Sequence, residues 1–211
     1  RVRRLEVHGR EEETARAGER VSANLVGVEL ADVRRGLVLA PPGALPPSTR
    51  LLVRLDLLSD APPLESGDRV SLHHYSTETQ ARVRLLESAR LAPGSSARVH
   101  LRLADRVAAV PGDRFIVRRL SPVQTIGGGV VLDPLPPVAR GKLDAAAVAA
   151  LDRLETGSLS ERLEMWIASA RERGAGEEDL ARRSGVSAPV VREALSSAIA
   201  DRRVHVLRRS P

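Results

Sequence analysis

The sequence predicts a mainly β protein with an α-helical C-terminal part: antiparallel β-barrels followed by a winged helix-turn-helix. Three observations carry this prediction. Apolar and polar residues alternate in several short runs over the first two thirds of the 211 residues, and clusters rich in proline and glycine separate those runs. From about residue 144 the apolar spacing changes to the helical period.

The alternating runs are Leu51-x-Val53-x-Leu55-x-Leu57, Val70-x-Leu72, Ala81-x-Val83-x-Leu85, Val99-x-Leu101-x-Leu103 and Phe115-x-Val117. Between them stand PPGALPPS (41–48), SDAPPLESGD (59–68), APGSS (92–96) and VPGD (110–113), each a turn by composition. The stretch SPVQTIGGGVVLDP (121–134) raises the question of a phosphate cradle, because Gly127, Gly128 and Gly129 precede an apolar run. A P-loop needs a lysine and a Ser/Thr at the start of a helix. Here a β-branched run stopped by proline follows instead, so the glycines read as a tight turn or a close backbone approach before a strand.

The last third reads as helices over 144–155 and 159–172, with Leu159, Leu163, Trp166 and Ile167 on one face of the second. A helix near 177–184, a turn at Gly185, an N-cap at Ser187, a helix to about Ala200 and a strand at 203–208 follow. Helix, glycine turn, helix and strand is the order of a winged helix-turn-helix.

Composition narrows the function. Cysteine is absent, which excludes disulfides, thiolate zinc sites and thiol nucleophiles. No apolar run reaches the roughly 18 residues of a membrane span, so the expectation is a cytoplasmic protein with no membrane partner. Lys142 is the sole lysine among 33 basic residues. The net charge of +6 is unevenly placed: residues 41–140 carry 13 basic and 9 acidic groups, whereas residues 141–211 carry 12 and 11. Between Arg82 and Arg119 nine arginines face only Glu87, Asp105 and Asp113, the local excess that a polyanion would feel. On two strands the outward positions are basic, Arg82 and Arg84 on one, Arg98, His100 and Arg102 on the other. Were the two strands neighbours, these would form one external stripe.

No catalytic constellation emerges. Of the five histidines only His73 and His74 are adjacent, and neighbours on a strand point to opposite faces, so they cannot chelate one ion. No serine sits in a nucleophile elbow. Tyr75, Phe115 and Trp166 are the only aromatic residues of those three types, too few for a platform that stacks single-stranded bases. Structured RNA held through phosphate and ribose fits better.

The chain resembles the bacterial selenocysteine-specific translation elongation factors (SelB), relatives of elongation factor Tu. VRRLEVHGREEETARAGERVSANLVGVELADVRRGLVLAPPG is similar to the second half of that family's domain II. PLESGDRVSLHHYSTETQARVRLLE and VPGDRFIVRRLSPVQTIGGGVVLDP are similar to domain III, and the helical tail to its first winged-helix module. The resemblance implies barrels of the elongation factor Tu type, with part of domain II at 1–43, domain III at 44–137, a linker and helix at 138–156 and a winged helix at 157–211. It also implies that the glycines introduce the last strand of domain III.

By the same resemblance, Glu6, His8 and Arg20 belong to the aminoacyl pocket. His73, His74, Arg82, Arg84, Arg98 and Arg102 are expected to meet tRNA. The implied function is the tRNA-binding part of a factor that delivers selenocysteinyl-tRNA to the ribosome. The family's GTPase domain, with its GTP and Mg2+, has no counterpart here, so no catalytic activity, cofactor or metal is expected of this chain. An mRNA hairpin would be bound only by later winged-helix modules. Two other classes stay open: a DNA-binding winged-helix regulator with β-barrel sensor domains, and a barrel module serving protein–protein contact. The helical tail is expected to fold without the barrels.

Overall fold

The computed structural model describes residues 1–137 and 144–207, which divide into two compact units, residues 1–37 and the described residues from 38 onward. In the first unit β1 (Val2–Val7) lies between β2 (Arg10–Glu12) and β3 (Val21–Leu25) in an antiparallel sheet. His8 and Gly9 join β1 to β2 with φ of 51° and 77°, the doubly left-handed pair that a tight hairpin requires. Within this unit only Val7 is buried, while Val26, Leu30 and Leu37 are more than half exposed. Three strands with a single buried residue form no hydrophobic core of their own.

The second unit is built on a closed six-stranded antiparallel barrel. Its strands are β4 (Ser48–Leu57), β6 (Arg69–His74), β7 (Thr77–Leu85), β9 (Ser96–Val107), β10 (Arg114–Arg118) and β11 (Thr125–Asp133). Two short strands, β5 (Leu64–Glu65) and β8 (Arg90–Leu91), pair beside it. Around the barrel the order is β10, β11, β4, β9, β7, β6, and β6 closes onto β10. The alternation seen in the sequence becomes an apolar interior: Leu51, Val53 and Leu55 of β4 and Val99 and Leu101 of β9 have no exposed surface.

The three glycines stand inside β11 rather than before it. Gly127, Gly128 and Gly129 pair with β10 on one side and β4 on the other. None has a positive φ. They are required by close approach: a Cβ at Gly129 would lie 1.8 Å from the Arg54 carbonyl oxygen, and one at Gly128 2.7 Å from that of Phe115. Of the two sequence readings, the turn is therefore replaced by the close approach. Embedded in a sheet, these residues open no helix and offer no phosphate cradle.

Four helices follow: α1 (Ala145–Thr156), α2 (Leu159–Ala170), α3 (Glu177–Ser184) and α4 (Ala188–Ala200). Asp144 caps α1, and Ser158 and Glu161 form a reciprocal capping box on α2. Gly185, left-handed at φ 74°, ends α3. Leu151 and Leu154 of α1, Leu163 and Trp166 of α2, and Leu180, Val191 and Leu195 form one core with Leu52 and Leu132 of the barrel. The helix expected in a linker thus shares the core, and barrel residues complete it.

The predicted strand at 203–208 is not formed over residues 203–207, and Arg208 lies outside the described residues. The amides of Arg203 and Val204 bond to the Ala198 carbonyl instead. Val204 packs on the helical core. The helix-turn-helix is therefore present without a wing among the described residues. None of the described helices is long and apolar enough to cross a membrane.

Candidate nucleic-acid interface

Strands β7 and β9 are neighbours, and their register makes the external stripe. Arg82 lies opposite Arg102 and Arg84 opposite His100, while the alternate residues Val83, Leu101 and Leu103 fill the interior. Two further arginines enter from the flanks. Arg69 of β6 is opposite Arg82, and Arg50 of β4 is opposite Arg102. Single arginines in otherwise unremarkable runs, they gave no signal in the sequence, because only the register of neighbouring strands reveals them. A concavity of about 680 Å³ opens on this face, lined in part by Thr49, Arg50, Ser66, Arg82, Arg84 and Arg102. Burial, with Arg84 and then Arg50 adding to it and Asp133 opposing, holds His100 below the usual histidine range.

Arg98 is the exception within the stripe. Its guanidinium is 12% exposed and forks onto Glu87, with Nε 2.9 Å from Oε2 and NH2 2.5 Å from Oε1. NH1 lies 2.5 Å from Oδ1 of Asp152 on α1. These carboxylates, Glu87 first, hold its charge more firmly than in an ordinary arginine. Its place in the structure is a tie between barrel and helix.

The adjacent histidines separate as the pleat demands. His73 faces outward with Nε2 3.2 Å from the Ser71 hydroxyl, beside Tyr75, Arg54 and Arg114 in a second cleft on another side of the barrel. His74 is 1% exposed and its Nε2 is 3.0 Å from Asp113 Oδ2. The same carboxylate accepts the Val110 amide at 2.9 Å, and its other oxygen accepts the Tyr75 hydroxyl at 2.7 Å. That hydrogen bond raises the tyrosine's pKa. The expected RNA contact by His74 is thereby corrected: it is a buried brace between the β6–β7 turn and the loop before β10. Among the described residues no cluster of histidines and carboxylates could hold a metal ion.

In the first unit, Glu6, His8 and Arg20 do come together, lining a cleft of about 470 Å³ with Gly9, Val21 and Ser22. Glu6 pairs with Arg4, and the Glu19 carboxylate accepts the Arg16 amide at 2.7 Å. Arg20 forms no ion pair among the described residues.

The chain thus joins a basic-faced closed barrel to a helix-turn-helix. Residues 48–138 match the family described as the selenocysteine-specific elongation factor, beta-barrel domain. The selenocysteine-specific elongation factor of Desulfomicrobium baculatum is 44% identical over 136 residues, 64% of this chain and 22% of that protein. Elongation factor Tu 2 of Streptomyces avermitilis is 33% identical over 132 residues, 60% of this chain and 33% of that one. The crystal structure of a bacterial selenocysteine-specific elongation factor, EF-Sec, superposes with a TM-score of 0.65 at 24% identity, covering 89% of this chain and 28% of that chain. That likeness concerns the fold. The family match is confined to the barrel, and the chain spans about a fifth to a third of the length of these relatives.

Proposed function

We propose that this chain is the tRNA-binding part of a selenocysteine-specific elongation factor and that its arginine face holds the phosphate backbone of selenocysteinyl-tRNA. The observation that carries the reading is the cross-strand pairing of Arg82 with Arg102 and of Arg84 with His100, above the apolar side chains of Val83, Leu101 and Leu103. Opposed like charges weaken a sheet, and a polyanion supplies the compensation. The cleft of Glu6, His8 and Arg20 would receive the aminoacyl end, where the Arg20 guanidinium favours an ionised selenol over a neutral hydroxyl. Proton transfer and bond making have no part in this; the residues bind and orient.

In this reading the full-length factor acts in the cytoplasm, delivers its cargo to the ribosome, and handles GTP and Mg2+ in a GTPase domain. The chain described here contributes no nucleotide site. The helix-turn-helix serves as a connector. Its outer α4 face has Arg192 with Nε 3.3 Å from Glu177 Oε1 and Glu193 beside it, a near-neutral surface ill suited to a DNA groove.

The test is a salt titration of binding to a selenocysteine tRNA transcript. Arg82→Ala and Arg102→Ala should each lower the log–log slope by roughly 0.7 to 0.9. Unchanged slopes for both, or equal affinity for a DNA duplex lost on changing α4, would sink the proposal.

A further inference from the structure

The arginine face is wider than the two strands that announce it. Register places Arg69, Arg82, Arg102 and Arg50 in one line across four neighbouring strands, β6, β7, β9 and β4. Strands lie about 4.8 Å apart, so three intervals make a row of roughly 15 Å. None of the four forms an ion pair among the described residues, whereas Arg54 and Arg98 of the same barrel do. Such a row costs stability on its own, because each guanidinium faces another across the ladder.

Direction matters as much as charge. Along β7 the outward positions run from Arg84 and Arg82 through Gln80 to Glu78, which ends the positive line. Along β9 the line ends at Arg98, whose charge is met by Glu87 and Asp152. Across the strands nothing acidic interrupts it. We infer that Arg69 and Arg50 close the two ends of a row that takes one phosphodiester strand running across the barrel's strands rather than along them. A row of about 15 Å accompanies roughly four phosphates of one strand at about 3.4 Å of axis per charge. This rests on the polyanion reading above and adds two residues and an orientation to it.

The experiment is the same salt titration on the full chain with the tRNA transcript, using Arg50→Ala, Arg69→Ala, Arg50→Lys, Arg69→Lys and, as a control on β8, Arg90→Ala. Each alanine variant at the ends should lower the slope by roughly 0.7 to 0.9, each lysine variant should restore it, and Arg90→Ala should leave it unchanged. Wild-type slopes for Arg50→Ala and Arg69→Ala beside lowered slopes for Arg82→Ala and Arg102→Ala would overturn the transverse row alone. Wild-type slopes for all four would overturn the parent reading with it. A lysine variant that fails to restore the slope would assign the loss to packing and also refute the inference.

Discussion

Arg183→Ala tests whether the helical part is welded to the barrel. At the end of β11 the Asp133 carboxylate is 1% exposed. Arg183 of α3 meets it with Nε 3.0 Å from Oδ1 and NH2 2.5 Å from Oδ2, and its guanidinium lies 4.8 Å from the centre of the Trp166 ring. Truncation leaves the carboxylate buried with the Leu135 amide as its remaining described donor, at 2.9 Å. Removing one partner of a buried pair costs about 3–5 kcal/mol, and the lost ring contact belongs to the same truncation rather than adding to it. For a domain of this size 1 kcal/mol corresponds to about 2–4 °C, so Tm should fall by roughly 6–20 °C. Asp133→Asn with Arg183→Met together should cost less than Arg183→Ala alone, since no uncompensated charge remains. Trp166 is the only tryptophan, so its fluorescence during denaturation reports on this junction and circular dichroism on the helices. A loss below about 1 kcal/mol, or a helical transition separate from that of the barrel, would refute the reasoning and restore the self-folding tail that the sequence suggests.

Three further outcomes are expected. His100, held low by burial and then by Arg84, binds fewer protons folded than unfolded. Its contribution is therefore present above pH about 6.5 and is lost as pH falls below it, so His100→Gln should show a smaller drop in Tm between pH 7 and 5.5 than the wild type, and an equal drop would count against this. Gly129→Ala places a Cβ 1.8 Å from the Arg54 carbonyl oxygen and 3.0 Å from the Phe115 ring. It should destabilise the barrel by at least the 1–3 kcal/mol or so of ordinary overpacking, seen as a lower urea midpoint, and a neutral effect would contradict the β4–β11 spacing. In the full-length factor, Arg20→Ala should reduce the preference for selenocysteinyl- over seryl-tRNA by roughly ten- to a hundredfold, the equivalent of one charged hydrogen bond. An unchanged ratio of affinities would remove Arg20 from the pocket.

What the sequence revealed, and what it hid, follows from the range of each interaction. Period-two alternation found five of the six barrel strands, β11 being read from its β-branched run instead, because the pleat sorts Leu51, Val53 and Leu55 inward whatever their partners are. The helices were legible through local spacing and through Ser187, the N-cap expected before α4. Arg98 was misleading because Asp152 is 54 residues away, and His74 because Asp113 is 39 away. Arg69 and Arg50 were silent, since register with β7 and β9 makes them members of a row. The absent strand at 203–207 had the right composition but found no partner among the described residues. Its first amides bond back to Ala198, and Val204 joins the helical core.

Salt should separate the two uses of arginine in this chain. Arg183 joins the helical part to the barrel against a carboxylate with almost no exposure, and Arg98 is 12% exposed between its two acids. Gly185, at the turn of the helix-turn-helix, abuts Val110 so closely that an added Cβ would fall 2.7 Å from it, so the same junction is also shape-fitted. Screening acts weakly on the Arg183–Asp133 contact, whose carboxylate is 1% exposed. Arg82 and Arg102 are exposed and unpaired among the described residues, and contacts they make with phosphates displace counterions that added salt restores. Between about 0.05 and 0.2 M salt, four phosphate contacts at a slope of roughly 0.7 to 0.9 each would weaken tRNA binding by about 50- to 150-fold. Over the same range the unfolding midpoint, followed through Trp166, should hardly move. Were the midpoint to fall in step with affinity, the arginines at the junction would be as solvated as those of the row, and the assignment of one set to architecture and the other to RNA would fail.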